Sequence, residues 1–369
     1  MKRLPLLATL PLLLCPLATA SQTAVTLPEA SPAASVSQTI GISGVTVSYH
    51  RPSVAGREVW GALVPYGYND LGFGTSKAAP WRAGANENTT ITFQHDVEVA
   101  GKPLKAGTYG LFMALSGGDP VTVIFSRDAG AWGSFFYDEG HDALRVSVRW
   151  EDAPFREQLT YDFSDVTKDS AVLALSWEKK RIPIPLRFDT VAIVEANLKV
   201  ELTGSRQFRY YAWLEASGYL LENNVDLPLA LTWAEFAVSD GFAGDRNFKT
   251  LSNKADILDK LGRPAEAMAV MDEALKMGSA LDVHQYGRRL LAMHSNARAL
   301  EAFKLNARLH PDVWPVNYGL ARGYSAVGDY RAALKALLRA QLQVPPGDAA
   351  NAAAVKLNIE KLKRGQDIN

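Results

Sequence analysis

The run Ile182-Pro183-Ile184-Pro185-Leu186-Arg187-Phe188-Asp189-Thr190-Val191-Ala192-Ile193 contains the point at which this chain changes its rule for burying apolar residues. Up to Leu186, large apolar side chains fall on every second position, as a half-buried strand requires. From Asp189 onward they fall on helical spacing. Asp189 can cap a helix running from Thr190 to about Leu202, and Gly204 can end it. Each side of this junction reads as a different architecture.

C-terminal to the junction the segments repeat. Ser205 can cap a helix carrying Tyr210, Trp213, Leu214, Leu220 and Leu221, and further helices are expected over Leu227–Val238, Phe248–Leu261, Pro264–Met277, Val283–His294, Ala297–Leu309, Val316–Val327 and Tyr330–Leu342. Ala230, Ala267, Ala299 and Ala333 recur in one local setting, and each preceding helix carries a small residue, at Gly218, Ala255, Gly287 and Ala321. The spacing brackets the period of about 34 residues of tetratricopeptide units, in which paired helices pack through small residues and stack on the next pair. Gly262 and Gly328 sit at sharp turns between helices, and Pro311 and Pro345 follow helix ends. No unit carries the complete pattern, and Asn306 stands where one small residue is expected, so an ordinary antiparallel bundle is the alternative.

N-terminal to the junction, from Val45 to Phe188, the period is two. Val45, Val47 and Tyr49 alternate with Thr46, Ser48 and His50; Ile91 and Phe93 alternate with polar neighbours; and Tyr109, Leu111, Met113 and Leu115 form another apolar face. Val121 to Phe125, Val146 to Trp150, Leu159 to Phe163, Leu173 to Trp177 and Ile182 to Leu186 follow. About nine short strands without intervening helices give an antiparallel β-sandwich or jelly roll. Pro183 and Pro185 lack the amide a central strand donates, which places the last strand at an edge or outside the sheet. The fold class is therefore α+β with its two parts segregated, a β-sandwich followed by a tetratricopeptide-like all-α array.

Lys2 and Arg3, the apolar run Leu4 to Leu17 and the small residues Ala18-Thr19-Ala20 before Ser21 have the form of a cleaved secretory signal over residues 1–20. Cys15, the only cysteine, opens a lipoprotein alternative, but Leu14 occupies a place where a small residue is wanted. Loss of the signal leaves a chain without thiol chemistry, exported to the periplasm or beyond. Residues 21–37 are poor in large apolar groups and read as a flexible lead-in, 38–188 as the sandwich, 189–345 as the helical array, and 346–369 as a C-terminal helix or tail. With 39 basic and 39 acidic residues and no basic stripe, nucleic acid is a poor partner.

Several ordered motifs in the first half carry a resemblance. These are Ser31-Pro32-Ala33-Ala34 with Gln38-Thr39-Ile40-Gly41, Tyr49 with Arg51-Pro52-Ser53 and Gly56-Arg57, and Leu63-Val64-Pro65-Tyr66-Gly67. Trp81-Arg82 with Gly84-Ala85-Asn86, Ala106-Gly107-Thr108-Tyr109, Trp132-Gly133 with Tyr137-Asp138, and Trp177-Glu178-Lys179 continue them. Together they resemble a family of exported bacterial proteins known as domain of unknown function 2911. The resemblance implies an exported sandwich followed by helices and brings no activity with it. The chain departs from the family pattern at Tyr68 to Pro80, an insertion ahead of Trp81-Arg82 that bears on the shape of any pocket there.

Arg51, Arg57, Trp81, Arg82, Asn86, Trp132, Tyr137 and Asp138 all lie in Gly- or Pro-punctuated connections and all match the family motifs. Arginine offers planar paired donors and tryptophan a stacking face, a combination suited to a sugar, a carboxylate or a peptide end. The competing structural reading has the arginines tied to loop carbonyls and the tryptophans plugging the end of the sandwich. No catalytic, cofactor or metal residue is assigned. Asp138-Glu139-Gly140-His141-Asp142 is the densest set of potential metal ligands, with a solvated loop as its simpler reading. Ser176-Trp177-Glu178-Lys179 spells a Ser-x-x-Lys tetrad on a strand, where positions three apart point to opposite faces. Gly72 to Lys77 lacks the spacing of a phosphate loop, and Asn88-Thr89-Thr90 fits a glycosylation acceptor. His95 reads as a strand-end histidine satisfied by hydrogen bonds, and His284, His294 and His310 as solvated helix-surface residues.

The expectation is a non-enzymatic exported protein that binds a protein partner through its helical array and a sugar or peptide ligand at the sandwich loops. The alternative is a cell-envelope hydrolase acting on glycans or peptides with Asp138, Glu139 and His141 as its acid–base or metal set.

Overall fold

A computed structural model describes residues 27–369, and the stretch read as a secretory signal, with Cys15, lies outside the described residues. The polypeptide divides at residue 190 into two compact units.

Among the described residues the first unit holds ten strands, all paired antiparallel. They are β1 (Ala33–Ile40), β2 (Ser43–His50), β3 (Thr90–Phe93), β4 (Val97–Val99), β5 (Lys102–Leu104), β6 (Gly107–Ala114), β7 (Val121–Ser126), β8 (Asp142–Val148), β9 (Glu151–Ser164) and β10 (Ser170–Arg187). One sheet runs β1-β2-β3-β6-β7-β8 and the other β5-β4-β10-β9. A jelly roll instead divides eight strands between two Greek keys. β2 buries Val45, Val47 and Tyr49, and β9 of the second sheet buries Leu159 and Tyr161. Tyr49 and Tyr161 cross edge-on with ring centres 4.8 Å apart, and the Tyr161 amide donates to the Tyr49 hydroxyl at 3.1 Å. This pair joins the two sheets through a shared core.

Two expectations are corrected here. The flexible lead-in over 21–37 is overruled from Ala33, because β1 pairs with β2 from Ala33↔His50 to Ile40↔Ser43. Its alternate side chains are only partly covered, as suits an edge strand of small residues. The segments Leu173–Trp177 and Ile182–Leu186 are one 18-residue strand, not two. Its register against β9 shifts on either side of Glu178, whose φ of 53° marks the irregularity. Pro183 and Pro185 are tolerated because the ladder with β9 ends at Arg181 and that with β4 begins at Leu186.

The second unit is helical: α1 (Thr190–Glu201), α2 (Tyr210–Asn223), α3 (Leu227–Ala237), α4 (Phe248–Lys260), α5 (Pro264–Met277), α6 (Ala280–Ala292), α7 (Asn296–Leu309), α8 (Trp314–Ala326), α9 (Tyr330–Gln343) and α10 (Ala349–Lys363). A short 3-10 turn, Ser205–Phe208, precedes α2. Ala230, Ala255, Ala267, Ala299, Ala321 and Ala333 are all buried at the helix contacts. Gly287 gives the tightest approach: a Cβ there would lie 2.5 Å from the Phe303 ring. Gly262 and Gly328 adopt φ of 74° and 81° at the turns into α5 and α9. Local caps agree with this layout, with Asn247 and Ser279 forming capping boxes at α4 and α6 and Asp329 capping α9. Apolar clusters follow one another along the chain, each joining neighbouring helices, as a stack with nearest-neighbour contacts requires. Within residues 346–369, α10 buries Val355, Ile359 and Leu362 against Ala333, Leu337 and Ala340 of α9. Asn306 is accommodated because its side-chain amide donates to the Ala280 carbonyl at 2.8 Å.

Candidate functional site

In the first unit, a pocket of about 350 Å³ opens between the connection that follows β2 and the segment around Trp81. Trp81 is fixed by mutual backbone hydrogen bonds with Met113 of β6 (2.9 and 2.8 Å) and by donation from its indole to the Gly84 carbonyl. Its ring stacks on that of Trp177 from β10, with centres 6.1 Å and planes 18° apart. Trp60 lies edge-on to both and to Trp150. The loop that follows is held at Ala83, whose carbonyl accepts from Tyr161 Oη at 2.9 Å and from Thr89 Oγ1 at 3.1 Å. Tyr161 is fully buried, and burial pushes its hydroxyl well above the ordinary tyrosine range, so it remains a proton donor.

Arg57, Trp81, Arg82 and Asn86 line this pocket together. Arg82 donates from one terminal nitrogen to the Asn86 carbonyl at 2.7 Å. Its guanidinium carbon lies 5.2 Å from the Trp132 ring centre and 5.4 Å from that of Phe135. Gly133 makes room for it: a Cβ there would fall 2.6 Å from the guanidinium carbon, and φ is 72°. Burial lowers the Arg82 pKa, yet the group stays cationic. Arg57 donates to the carbonyls of Val54 and Ser53. Among the described residues neither Arg57 nor Arg82 has a carboxylate within ion-pairing distance. Asn86 donates to Glu29 at 3.1 Å, and His50 lies between Glu29 (3.1 Å) and Glu87 (2.9 Å).

The insertion Tyr68 to Pro80 supplies one wall. Asn69 and Ala79 close its base with paired backbone hydrogen bonds of 3.0 and 2.9 Å, and Asn69, Leu71, Ala79 and Pro80 face the pocket. Asp70 accepts from the Gly72 amide and pairs with Lys77, and Phe73 packs against Phe135 and Phe136. The Gly72 to Lys77 segment is thus a turn pinned by Asp70 and by the Phe135 carbonyl, which accepts from the Ser76 amide.

The other members of the sequence-derived set go elsewhere. Arg51 binds the Leu159 carbonyl at 3.0 Å and Thr160 Oγ1 at 2.7 Å, a tie to β9 that takes it away from the pocket lining. Trp132 is 55% exposed and reaches the site only through Arg82. Tyr137 donates to Asp142 and accepts from Arg145, both at 2.8 Å. Asp138 caps the turn Glu139–His141. The acid–base set considered for a hydrolase is likewise dispersed, because Glu139 pairs with Arg145 and His141 with Asp128. No three His, Cys, Asp or Glu side chains converge as metal ligands among the described residues. Ser176 and Lys179 flank the register shift at Glu178 on β10. Asn88 is buried and donates to the Asp128 carbonyl, which removes it as an exposed glycan acceptor. His95 meets the Ser43 hydroxyl at 3.1 Å.

In the second unit, two adjoining hollows of about 310 and 410 Å³ share Met268, Tyr286, Leu290 and Arg298 and form one cleft across α4 to α7. Met268 and Met293 are 43% and 61% exposed along it. Arg298 donates to the Tyr286 hydroxyl at 3.3 Å and has no carboxylate partner among the described residues. The expectation for His284 is corrected: it is only 8% exposed, beside the Phe303 ring. Desolvation, then the charges of Arg288 and Arg322, lower its pKa to about 4. The sequence misled because an i, i+3 position next to polar residues looks solvated until α8 packs over it.

Residues 31–186 match the family model described as a protein of unknown function, DUF2911. The matched span lies within the first unit. All the residues that line the pocket fall within the matched span, and the DUF2911 description carries no activity. No curated protein matches the sequence. The helical part is similar to solved tetratricopeptide structures. YrrB, described as a TPR protein with an unusual peptide-binding site, is 18% identical at a TM-score of 0.30 over 46% of this chain and 84% of its own. The C-terminal part of a TPR repeat-containing protein from Cytophaga hutchinsonii is 15% identical at 0.36, over 47% and 67%. MamA from Desulfovibrio magneticus RS-1 is 19% identical at 0.28, over 44% and 98%. The hairpin stack rests on the small residues buried between its helices and the glycines at its turns.

Proposed function

We propose that this chain is an exported, non-enzymatic binding protein whose helical array holds an extended segment of a protein partner. The observation that supports this reading is the cleft across α4 to α7. It combines exposed, adaptable thioethers at Met268 and Met293 with the Tyr286 ring and with Arg298, which lacks a carboxylate partner. Methionine suits surfaces that accept varied apolar side chains, while arginine and tyrosine supply the polar anchors common at protein contacts. A partner segment with apolar side chains fits this lining, whose charges are mixed, with Asp256, Asp259, Asp272 and Glu301 beside Lys260, Arg289, Arg298 and Arg308. The β-sandwich serves as a separate ligand-binding module, with a sugar or peptide end as its occupant class.

Selection of a displayed random-peptide library on the full chain, followed by titration of the enriched peptides, tests the array's role. Met268→Glu and Met293→Glu are expected to weaken those peptides at least tenfold while helix content is unchanged. Absence of enrichment, or affinities unmoved by both substitutions, contradicts the reading. Export is tested separately by the N-terminus of the mature protein, which is expected at Ser21.

A further inference from the structure

We propose that the pocket beside Trp81 and Arg82 binds an organic carboxylate with a flat or branched apolar body. The proposal takes up the ligand-binding reading of the sandwich and narrows the occupant to this chemical class. Its lining contains two arginines and no acidic residue. Residues 1–26 contain no Asp or Glu, so the segment preceding the described chain supplies no carboxylate either. A half-buried guanidinium without a counter-ion is costly, and elsewhere in the first unit Arg145 pairs with Asp142 and Arg181 with Glu151. Arg82 is nevertheless held rigidly, by the Asn86 carbonyl on one nitrogen, the Trp132 and Phe135 rings beside it, and Gly133 against its carbon. An arginine fixed in this way offers its remaining N–H groups as a ready fork for a carboxylate, with little entropy left to lose on binding.

The rest of the lining selects the body of the ligand. Leu63, Val64, Pro80, Trp81 and Trp177 form apolar walls in a volume of about 350 Å³, at the small end of ligand pockets. Ser31, Asn69, Asn86 and Ser134 are the uncharged polar residues of the lining that can orient it. A sugar would call on acidic acceptors, and the lining has none. Inorganic phosphate would call on a denser cradle of donors than one fork and one rim arginine provide. The shared chemistry, a carboxylate on an apolar body, belongs equally to a small free acid and to the C-terminal residue of a peptide.

Titration of the intact chain, read by its tryptophan fluorescence and by calorimetry, separates these cases. The probes are 3-phenylpropanoate, the peptide Gly-Gly-Phe, the neutral 3-phenylpropanamide and inorganic phosphate. At least one of the two acids is expected to bind saturably, at least tenfold tighter than the amide and more weakly as salt rises. Preference between the acids identifies the free acid or the peptide end as the source. Arg82→Met is expected to abolish the preference for acid over amide, and Arg82→Lys to recover only part of it, because a point charge lacks the fork. The acid–amide comparison on the unsubstituted protein requires no variant to fold. Equal binding of acid and amide, or phosphate outcompeting both acids, overturns the carboxylate assignment and leaves a ligand-binding sandwich standing. Failure of all four probes to bind overturns the assignment together with that reading.

Discussion

Tyr161, at the centre of the sandwich, donates its hydroxyl hydrogen to the carbonyl of Ala83 at 2.9 Å, so the buried core directly sets the loop that carries Trp81, Arg82 and Asn86. Ala83 itself sits at φ of 51°, a conformation an alanine holds only when its surroundings insist. Tyr161→Phe keeps the ring packing against Tyr49 and removes only this bond. The expected result is a loss of about 1–2 kcal/mol in urea unfolding, with a larger proportional loss of 3-phenylpropanoate affinity than of affinity for the neutral amide.

Arg51 and Arg82 were equivalent candidates in the sequence, and their surroundings separate them. Arg51 ties the chain after β2 to Leu159 and Thr160 of β9, so Arg51→Met should cost about 1–3 kcal/mol of stability and leave carboxylate affinity of the folded protein unchanged. Arg82→Met should lose the carboxylate preference at a smaller stability cost, because Arg82 makes one hydrogen bond, to the Asn86 carbonyl, where Arg51 makes two. Parallel denaturation and titration of the two variants checks the contrast.

The close contact of α6 with α7 makes a second structural test. Gly287→Ala places a methyl group 2.5 Å from the Phe303 ring, and overpacking of this kind costs about 1–3 kcal/mol. Phe303→Leu creates space at the same point. The double variant should be more stable than the sum of the two single losses implies, and strict additivity in the cycle would argue against the contact.

His284 gives the helical unit a pH dependence. Its folded pKa, about 4, lies below the ordinary value of 6.5, so the unfolded chain takes up the proton first as pH falls. Stability attached to this group is complete above about pH 6.5 and declines to about pH 4, by on the order of 3 kcal/mol in all. The groups facing it are Arg288, Arg322, the Pro315 carbonyl and the Phe303 ring, and none of them favours the imidazolium strongly. Urea midpoints at pH 7 and pH 5 should differ more for the native chain than for His284→Gln. Equal differences would remove the assignment.

The period-two faces of β2, β3, β6 and β7 and the recurring small residues of α4 to α9 were legible because burial on one face leaves a direct trace in residue order. β1 was not, since Ala33 to Ser37 carry side chains too small to mark an edge strand, and the pairing that defines it comes from β2. β10 read as two strands because a left-handed Glu178 and two prolines interrupt the pattern without ending the strand. Arg57, Trp81, Arg82 and Asn86 were visible as loop residues of the right chemistry. That they share one pocket, whereas Arg51, Tyr137 and Asp138 do not, depends on contacts between segments far apart in sequence, such as Trp81 with Trp177 and Arg82 with Gly133. The cleft across α4 to α7 left no motif, because it arises from stacking and its methionines read as ordinary apolar positions.

The most direct test of the proposed binding role is hydrogen exchange of the full chain with and without a saturating, library-selected peptide. Slowed exchange concentrated in Phe248 to Leu309, the span of α4 to α7, is the predicted outcome, together with its loss in Met268→Glu. Protection that falls elsewhere in the chain, or persists unchanged in that variant, would contradict it.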